Sequence, residues 1–194
     1  MSYRNTCVQK SDTRKLSAQT LFLPQFWIGY EFMKKETKKP KLEDKKFIVK
    51  KSLLPGAGLG LFAKKDFKKE EVLGNYDGVL LTEEDCESYD TYAHMLDITM
   101  LDTVPKQYVA LHPPEKMLLR YINHSPVTVD GKRVRGKKAY NVEFREIDHH
   151  PFIQVVAVRD IEAGDEIYLT YGTYFTKLFL QNKKLKEYYL KDFD

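Results

Sequence analysis

Cysteine is nearly absent from this chain of 194 residues; there are two, Cys7 and Cys86. They have no metal-ligand spacing and cannot form a disulfide framework, so no metal site is expected and a reducing compartment is the default reading. A long apolar run is missing as well. The most apolar stretch, Leu21 to Tyr30, spans ten residues and contains Pro24 and Gln25, too short to cross a bilayer. Met1 to Gln19 is polar and lacks the apolar centre of a signal peptide. Nor is there an excess of one charge: 32 Lys and Arg against 28 Asp and Glu leave +4, which favours acidic or nucleic-acid surroundings only weakly. The glycines at 56–60 lack dinucleotide spacing and no long helix follows them. No Gly-Lys-Ser/Thr is present, so a Rossmann turn and a P-loop are both excluded.

What is present is apolar and aromatic. The chain is 42% apolar, with thirteen Tyr and eleven Phe, enough for one globular domain with flanking pieces. Residues 1–46 read as an N-terminal extension. Within it, Leu21 to Ile28 holds the only Trp and suits a plug on the domain surface or, more sharply, a docking or dimer face. Glu31 to Lys51 carries nine Lys against four acids and reads as a solvated linker or charged helix. From Phe47 the texture changes to short apolar runs between Gly, Asp and Asn: 47–49, 59–63, 72–73, 79–81, 108–111, 153–158 and 167–171. That pattern predicts a mainly β domain with few helices. Thr82-Glu83-Glu84-Asp85 is a capping-box-like helix start. Thr176 is predicted to cap a C-terminal helix running to about Tyr189, with Leu178, Leu185 and Tyr189 on one stripe. There is also an internal echo. Ala63 to Phe67 precedes Glu70–Val72, and Ala157 to Ile161 precedes Gly164–Ile167; each is a strand, an Asp-led turn and another strand.

Four stretches carry candidate chemistry. Gly56-Ala57-Gly58-Leu59-Gly60-Leu61-Phe62-Ala63 can bring backbone groups close to a ligand, although a Gly-rich turn between strands is the plainer reading. Asn75-Tyr76-Asp77-Gly78 sets a Tyr among turn residues beside a strand. Arg120-Tyr121-Ile122-Asn123-His124-Ser125 ends a short apolar run in a polar pair before a Ser-Pro step; alone it reads as a satisfied turn. Gly164-Asp165-Glu166-Ile167 leads through a strand to Tyr171-Gly172, and Gly172 frees the backbone to turn and aim the phenol.

These pieces, in this order and together with Asn141, resemble the SET-domain family of protein lysine methyltransferases over residues 47–174. The resemblance implies several small curved sheets and a C-terminal segment threaded, as a pseudoknot, under the loop of the Asn-His pair. It implies S-adenosylmethionine on one face and a substrate lysine entering from the other. Gly58, Leu59 and Gly60 would cradle the methionine end of that cofactor through their backbone. Asn123 would bind its amino or carboxylate end, and His124 its adenine through main-chain groups. Phe175 would pack against the cofactor, and Tyr92 is a poorer match on the same side. Tyr171 takes the position of the catalytic tyrosine. Tyr76, Leu169 and Tyr174 would line the lysine channel, and residues 175–194 would form a helix closing it. Leu169 stands where the family often has a Phe or Tyr that limits methylation, so addition beyond one methyl is expected.

The zinc-binding Cys clusters of many members are impossible here, so the compact, zinc-free, viral-like members are the nearer comparison. The family's Cys-x-Pro-Asn is replaced by residues 126–140, with Lys132, Arg133, Arg135, Lys137 and Lys138 and no acid between Gly131 and Tyr140. That insertion reads as an exposed hairpin loop or as an arm for weak polyanion contact. The implied function is histone-tail lysine methylation in a nuclear or chromatin-associated protein, as a monomer or homodimer, with no membrane partner. Methylation of a non-histone protein and a catalytically silent SET-fold scaffold are the alternatives.

Overall fold

The computed structural model describes residues 42–88, 94–99, 101–148 and 153–191. Cys7, the 21–30 run with Trp27, and Tyr92 lie outside these residues. The architecture is mainly β: five small sheets, with short helices, among the described residues.

β1 (Phe47–Lys51) and β2 (Leu59–Ala63) form an antiparallel hairpin with Phe47 opposite Ala63 and Lys51 opposite Leu59. Leu61, Phe62 and Ala63 are all buried at the end of that sheet. β3 (Val72–Tyr76), β10 (Val142–Glu146) and β11 (Ile153–Ala157) form a three-stranded sheet with β11 in the middle. Val155, Val156 and Ala157 are fully enclosed, as expected of a central strand. β4 (Val79–Leu81), β6 (Ala110–His112) and β5 (Leu96–Asp97) make another three-stranded sheet. α1 (Glu83–Glu87) starts at Thr82 with the expected capping box, in which Thr82 Oγ1 accepts from Asp85 N and Asp85 Oδ2 accepts from Thr82 N.

The echoed segments pack on each other. Phe67 and Ile161 exchange backbone hydrogen bonds at 2.9 Å. Asp66 Oδ1 accepts from Ala163 N, and Asp160 Oδ1 accepts from Lys69 N. Each Asp therefore satisfies a donor in the other's turn, which explains why both turns are Asp-led.

β12 (Tyr168–Leu169) runs parallel to β7 (Asn123–His124) and places Tyr168 opposite Asn123 and Leu169 opposite His124. Parallel neighbours cannot be joined by a hairpin, so a long excursion must separate them. Ser125 N continues the β7 side by donating to Leu169 O at 2.8 Å. The 168–169 segment is held on its other side by Asn141, whose N donates to Tyr168 O at 3.0 Å. The buried side chain of Asn141 donates to Glu166 O and accepts from Tyr168 N, both at 2.9 Å. The late strand thus passes between two earlier segments, the threaded arrangement expected.

The C-terminal helix differs from the sequence reading. It is two helices, α2 (Thr173–Phe179) and α3 (Lys183–Leu190). Thr176 is not a cap; it lies inside α2, and its hydroxyl donates to Gly172 O at 2.8 Å. Gly172, at a φ of 90°, starts α2. Asn182 caps α3, its Oδ1 accepting from Lys184 N and Leu185 N. Of the predicted stripe, Leu185 and Tyr189 are buried and Leu178 is exposed. The 126–140 insertion is likewise more than a loop. β8 (Thr128–Val129) and β9 (Lys132–Arg133) close on an Asp130-Gly131 turn in which both φ angles are positive, the geometry that favours Asp-Gly. This hairpin packs on α3 through a second, smaller core of Leu54, Val129, Val134, Tyr168, Leu185 and Tyr189.

Candidate active site

Strand alternation sends the side chains of Asn123 and His124 to opposite faces of β7. Two different environments result.

The Asn123 face is polar. Asn123 Nδ2 donates to Leu59 O at 2.9 Å, to Glu166 Oε1 at 3.1 Å and to Ser52 Oγ at 3.2 Å. Glu166, only 2% exposed, is the hub. Its Oε1 also accepts from Ser52 Oγ at 2.6 Å, and its Oε2 accepts from Leu53 N and from the Tyr168 hydroxyl, each at 2.7 Å. A buried carboxylate is tolerated when donors surround it, and here all four come from uncharged groups. Burial, with the Glu166 carboxylate beside it, pushes the Tyr168 phenol far above its ordinary pKa.

The glycine loop fits onto this cluster. A Cβ on Gly60 would sit 2.1 Å from Glu166 Oε1 and 3.0 Å from Asn123 Nδ2, so the backbone can approach only without a side chain. Gly58 has a φ of 74°, and a Cβ there would meet nothing within 4 Å. Its glycine serves conformation, and the space beside it is open.

The His124 face is aromatic. The ring is 3% exposed and lies 5.3 Å from the Tyr171 ring, 5.0 Å from Phe175 and 4.8 Å from Phe179. Its Nδ1 accepts from Tyr171 N at 3.0 Å, so in the neutral ring the proton is on Nε2. Nε2 lies 3.2 Å from Thr176 Oγ1, whose own proton goes to Gly172 O. Burial pushes the imidazole down to a pKa of about 3. It is a neutral spacer that ties β7 to the start of α2.

Tyr171 is 39% exposed as a residue, while its hydroxyl is set inward and donates to Ile122 O at 2.5 Å. Burial raises the phenol pKa well above the ordinary value. Tyr76 is buried, stacks edge-on against Phe144 at 5.2 Å, and donates to His94 O. Its pKa is raised first by burial and then by the nearby Tyr171, with the Arg120 cation opposing, so the two phenols share one electrostatic neighbourhood.

The structure therefore gathers Gly58, Leu59, Gly60 and Asn123 on one side of β7, with His124, Tyr171 and Phe175 on the other and Tyr76 near Tyr171. Leu169 is packed in the main core beside the strand pair. Tyr174 lies on α2 and is 62% exposed. Sequence reasoning gave no role to Ser52 or Phe179, named Glu166 only as part of the 164–167 motif, and read Thr176 only as a helix cap. The signal for Glu166 was present as an acid directly preceding the buried run Ile167–Leu169, but nothing local distinguishes it from the exposed acids before it.

A glycine loop and a tyrosine strand meeting at an Asn-His pair, in a domain of small sheets, define a narrow class of proteins. The family model described as "SET domain" matches residues 58–172. The chain belongs to the SET-domain family. It is 29% identical over 153 residues to the histone-lysine N-methyltransferase EZH2 of Chaetomium thermophilum, covering 74% of this chain and 9% of that protein. It is 30% identical over 129 residues to the histone-lysine N-methyltransferase SETD7 of Halocynthia roretzi, covering 62% of this chain and 30% of that one. The chain thus spans less than a third of the length of these relatives. Among solved structures, the crystal structure of the Chaetomium thermophilum polycomb repressive complex 2 aligns with a TM-score of 0.47 at 23% identity, over 68% of this chain and 16% of that chain.

Proposed function

We propose that this chain is an S-adenosylmethionine-dependent protein lysine N-methyltransferase acting on histone tails, and hence nuclear or chromatin-associated. The observation that carries the reading is the two-faced β7 strand, with a ligand-ready amide on one side and an anchored phenol on the other. The names of the two relatives support lysine methylation and a histone substrate.

The residues present fit the cofactor. The Asn123 amide nitrogen is committed to three acceptors, which leaves its carbonyl oxygen to accept from an ammonium rather than bind a carboxylate. The open side of Gly58 would admit the methionine end, and Phe175 would cover part of the bound molecule. When bound, S-adenosylmethionine would supply an electrophilic methyl carbon on a sulfonium; a neutral amine attacks that carbon, the C–S bond breaks, the neutral thioether leaves and the positive charge passes to the methylated nitrogen. No protein nucleophile is required.

The protein's own part is alignment. The Tyr171 hydroxyl proton is spent on Ile122 O, which leaves the oxygen able to act only as an acceptor. It would accept an N–H of the incoming lysine and aim the amine's lone pair. A lysine with a pKa of about 10.4 is neutral in roughly one molecule in 2,500 at pH 7; a dry aromatic channel raises that fraction. Tyr76, Leu169 and Tyr174 would wall the channel, with α2 closing it. Leu169 has no hydroxyl to hold a water against a methylated amine, so di- or trimethyl product is expected. Mass spectrometry of multiple-turnover product that shows only monomethyl-lysine would refute that point.

The test is transfer of labelled methyl from S-adenosylmethionine to core histones, wild type against Tyr171→Phe. Labelled histone lysine in the wild type and its loss in the variant support the proposal. Cofactor binding with no transfer to any lysine would replace it with the scaffold reading.

A further inference from the structure

The 126–140 hairpin and α3 lie far apart in sequence but form one body. Lys186 Nζ pairs with Asp130 Oδ1 at the hairpin turn at 2.8 Å. At the hairpin's other end Lys138 Nζ lies over the Tyr188 ring at 4.1 Å and donates to Tyr188 O. Val129, Val134, Leu185 and Tyr189 fill the space between. The joined segments, 127–140 and 183–191, contain nine Lys and Arg against Asp130 and Glu187, a net charge of +7 in a chain whose total is +4. The rest of the molecule, which includes Asp192 and Asp194, is therefore net acidic.

Part of this charge is used internally. Lys137 is paired with Glu162 and Asp165 at 3.0 and 2.7 Å, and Lys186 with Asp130. Lys183 makes only a loose contact with Glu187 at 3.9 Å and is 90% exposed. Arg133, Arg135 and Lys184 are exposed. Val134, between the two arginines, is 6% exposed, so backbone alternation sends the two arginine side chains outward from positions about 7 Å apart along the chain. Planar guanidinium forks match phosphate oxygens. A duplex carries one negative charge per about 1.7 Å of axis, so such a pair finds phosphates in any register.

We infer that the hairpin–α3 face binds the phosphate backbone of double-stranded nucleic acid without reading its sequence. This goes beyond the methyltransferase reading and does not depend on it. The probe is a fluorescein-labelled 30-base-pair DNA of mixed sequence, titrated with the full chain by anisotropy. Four phosphate contacts, from Arg133, Arg135, Lys183 and Lys184, predict affinity falling roughly a hundredfold between 50 and 200 mM salt. Arg133→Glu/Arg135→Glu should weaken binding at least tenfold at 50 mM. Both side chains are exposed and outside the candidate active site, so the circular dichroism spectrum and methyl transfer to a short histone peptide should not change. Comparable binding of an RNA duplex supports a backbone-directed face. The inference is overturned if the wild type fails to bind at 50 mM salt, if the double variant binds as tightly as wild type, or if poly-glutamate displaces the probe as well as unlabelled duplex does.

Discussion

Asn123 and His124 are adjacent in one short strand, yet the two sides of that strand follow opposite rules. On the Asn123 side a carboxylate is buried and satisfied by four neutral donors. On the His124 side the imidazole is held neutral and packed against Tyr171, Phe175 and Phe179. The first arrangement fixes polar atoms in place, which suits recognition of a charged ligand end. The second keeps the His124 ring from water and holds a phenol by its backbone and its hydroxyl at once, which suits the alignment of an amine. Because β12 runs between β7 and Asn141, both faces are built from the same two strands.

The largest effect should come from the aromatic side and leave the polar side intact. Tyr171→Phe removes the hydroxyl proposed to orient the amine while keeping the ring between His124 and Phe175. Methyl transfer should fall roughly 100- to 1,000-fold, the usual loss for one aligned polar group. The dissociation constant for S-adenosylmethionine should stay within about threefold, because no atom of the Asn123 cluster is touched. Calorimetric titration beside a rate assay separates the two quantities. A variant that loses both together would show that the faces are not independent.

Next is the polar side. Gly60→Ala places a methyl 2.1 Å from Glu166 Oε1. The carboxylate is the far end of a side chain and could swing, but only by leaving Ser52 and Asn123. We expect a stability loss of about 2 kcal/mol in urea unfolding, within the range for overpacking, and at least a tenfold weaker cofactor. Ala at Gly58, where no atom lies within 4 Å, should act through backbone strain alone and cost about 1 kcal/mol. Equal effects at the two positions would mean that the Glu166 contact is not what demands glycine at Gly60.

These two faces were unequally legible in the sequence. The strands at 47–49, 59–63, 79–81 and 153–158 are bounded by turn residues and carry their own pattern, so their existence could be read locally. The Thr82 cap is equally local. β7 and β12 are two residues each and pair across 45 residues of chain; no periodicity fits in two residues, and only the family resemblance brought them together. Glu166 stands beside Asp165, and both look like turn acids, but one is buried and the other pairs with Lys137. What separates them is the threading, a long-range fact. The C-terminal helix was misjudged for a local reason. Thr176 has the chemistry of a cap, but Gly172 and Asn182 occupy the positions where the backbone leaves helical geometry, and the Thr hydroxyl turns back to Gly172 O instead.

The smallest effect per unit change is one of pH, and it tests the dry side alone. The His124 pKa is about 3 in the folded chain and about 6.5 when unfolded. Between these values the unfolded chain binds a proton that the folded chain does not. The stability associated with a neutral His124 is therefore complete above about pH 6.5 and declines as pH falls toward 3, by up to about 1.4 kcal/mol per pH unit. His94 and His112 are also held below the ordinary value, chiefly by burial, and add slope of the same sign. The depressed carboxyls of Glu71, Asp85 and Asp160 act only at lower pH. The measurement is thus a difference: urea unfolding at pH 7.0, 6.0 and 5.0 for wild type and His124→Asn. The variant should start less stable at pH 7, having lost the Tyr171 and Thr176 hydrogen bonds, and its slope should be shallower by most of one proton. Parallel slopes would mean that His124 titrates normally, that water reaches it, and that the aromatic face is not the dry compartment its packing describes.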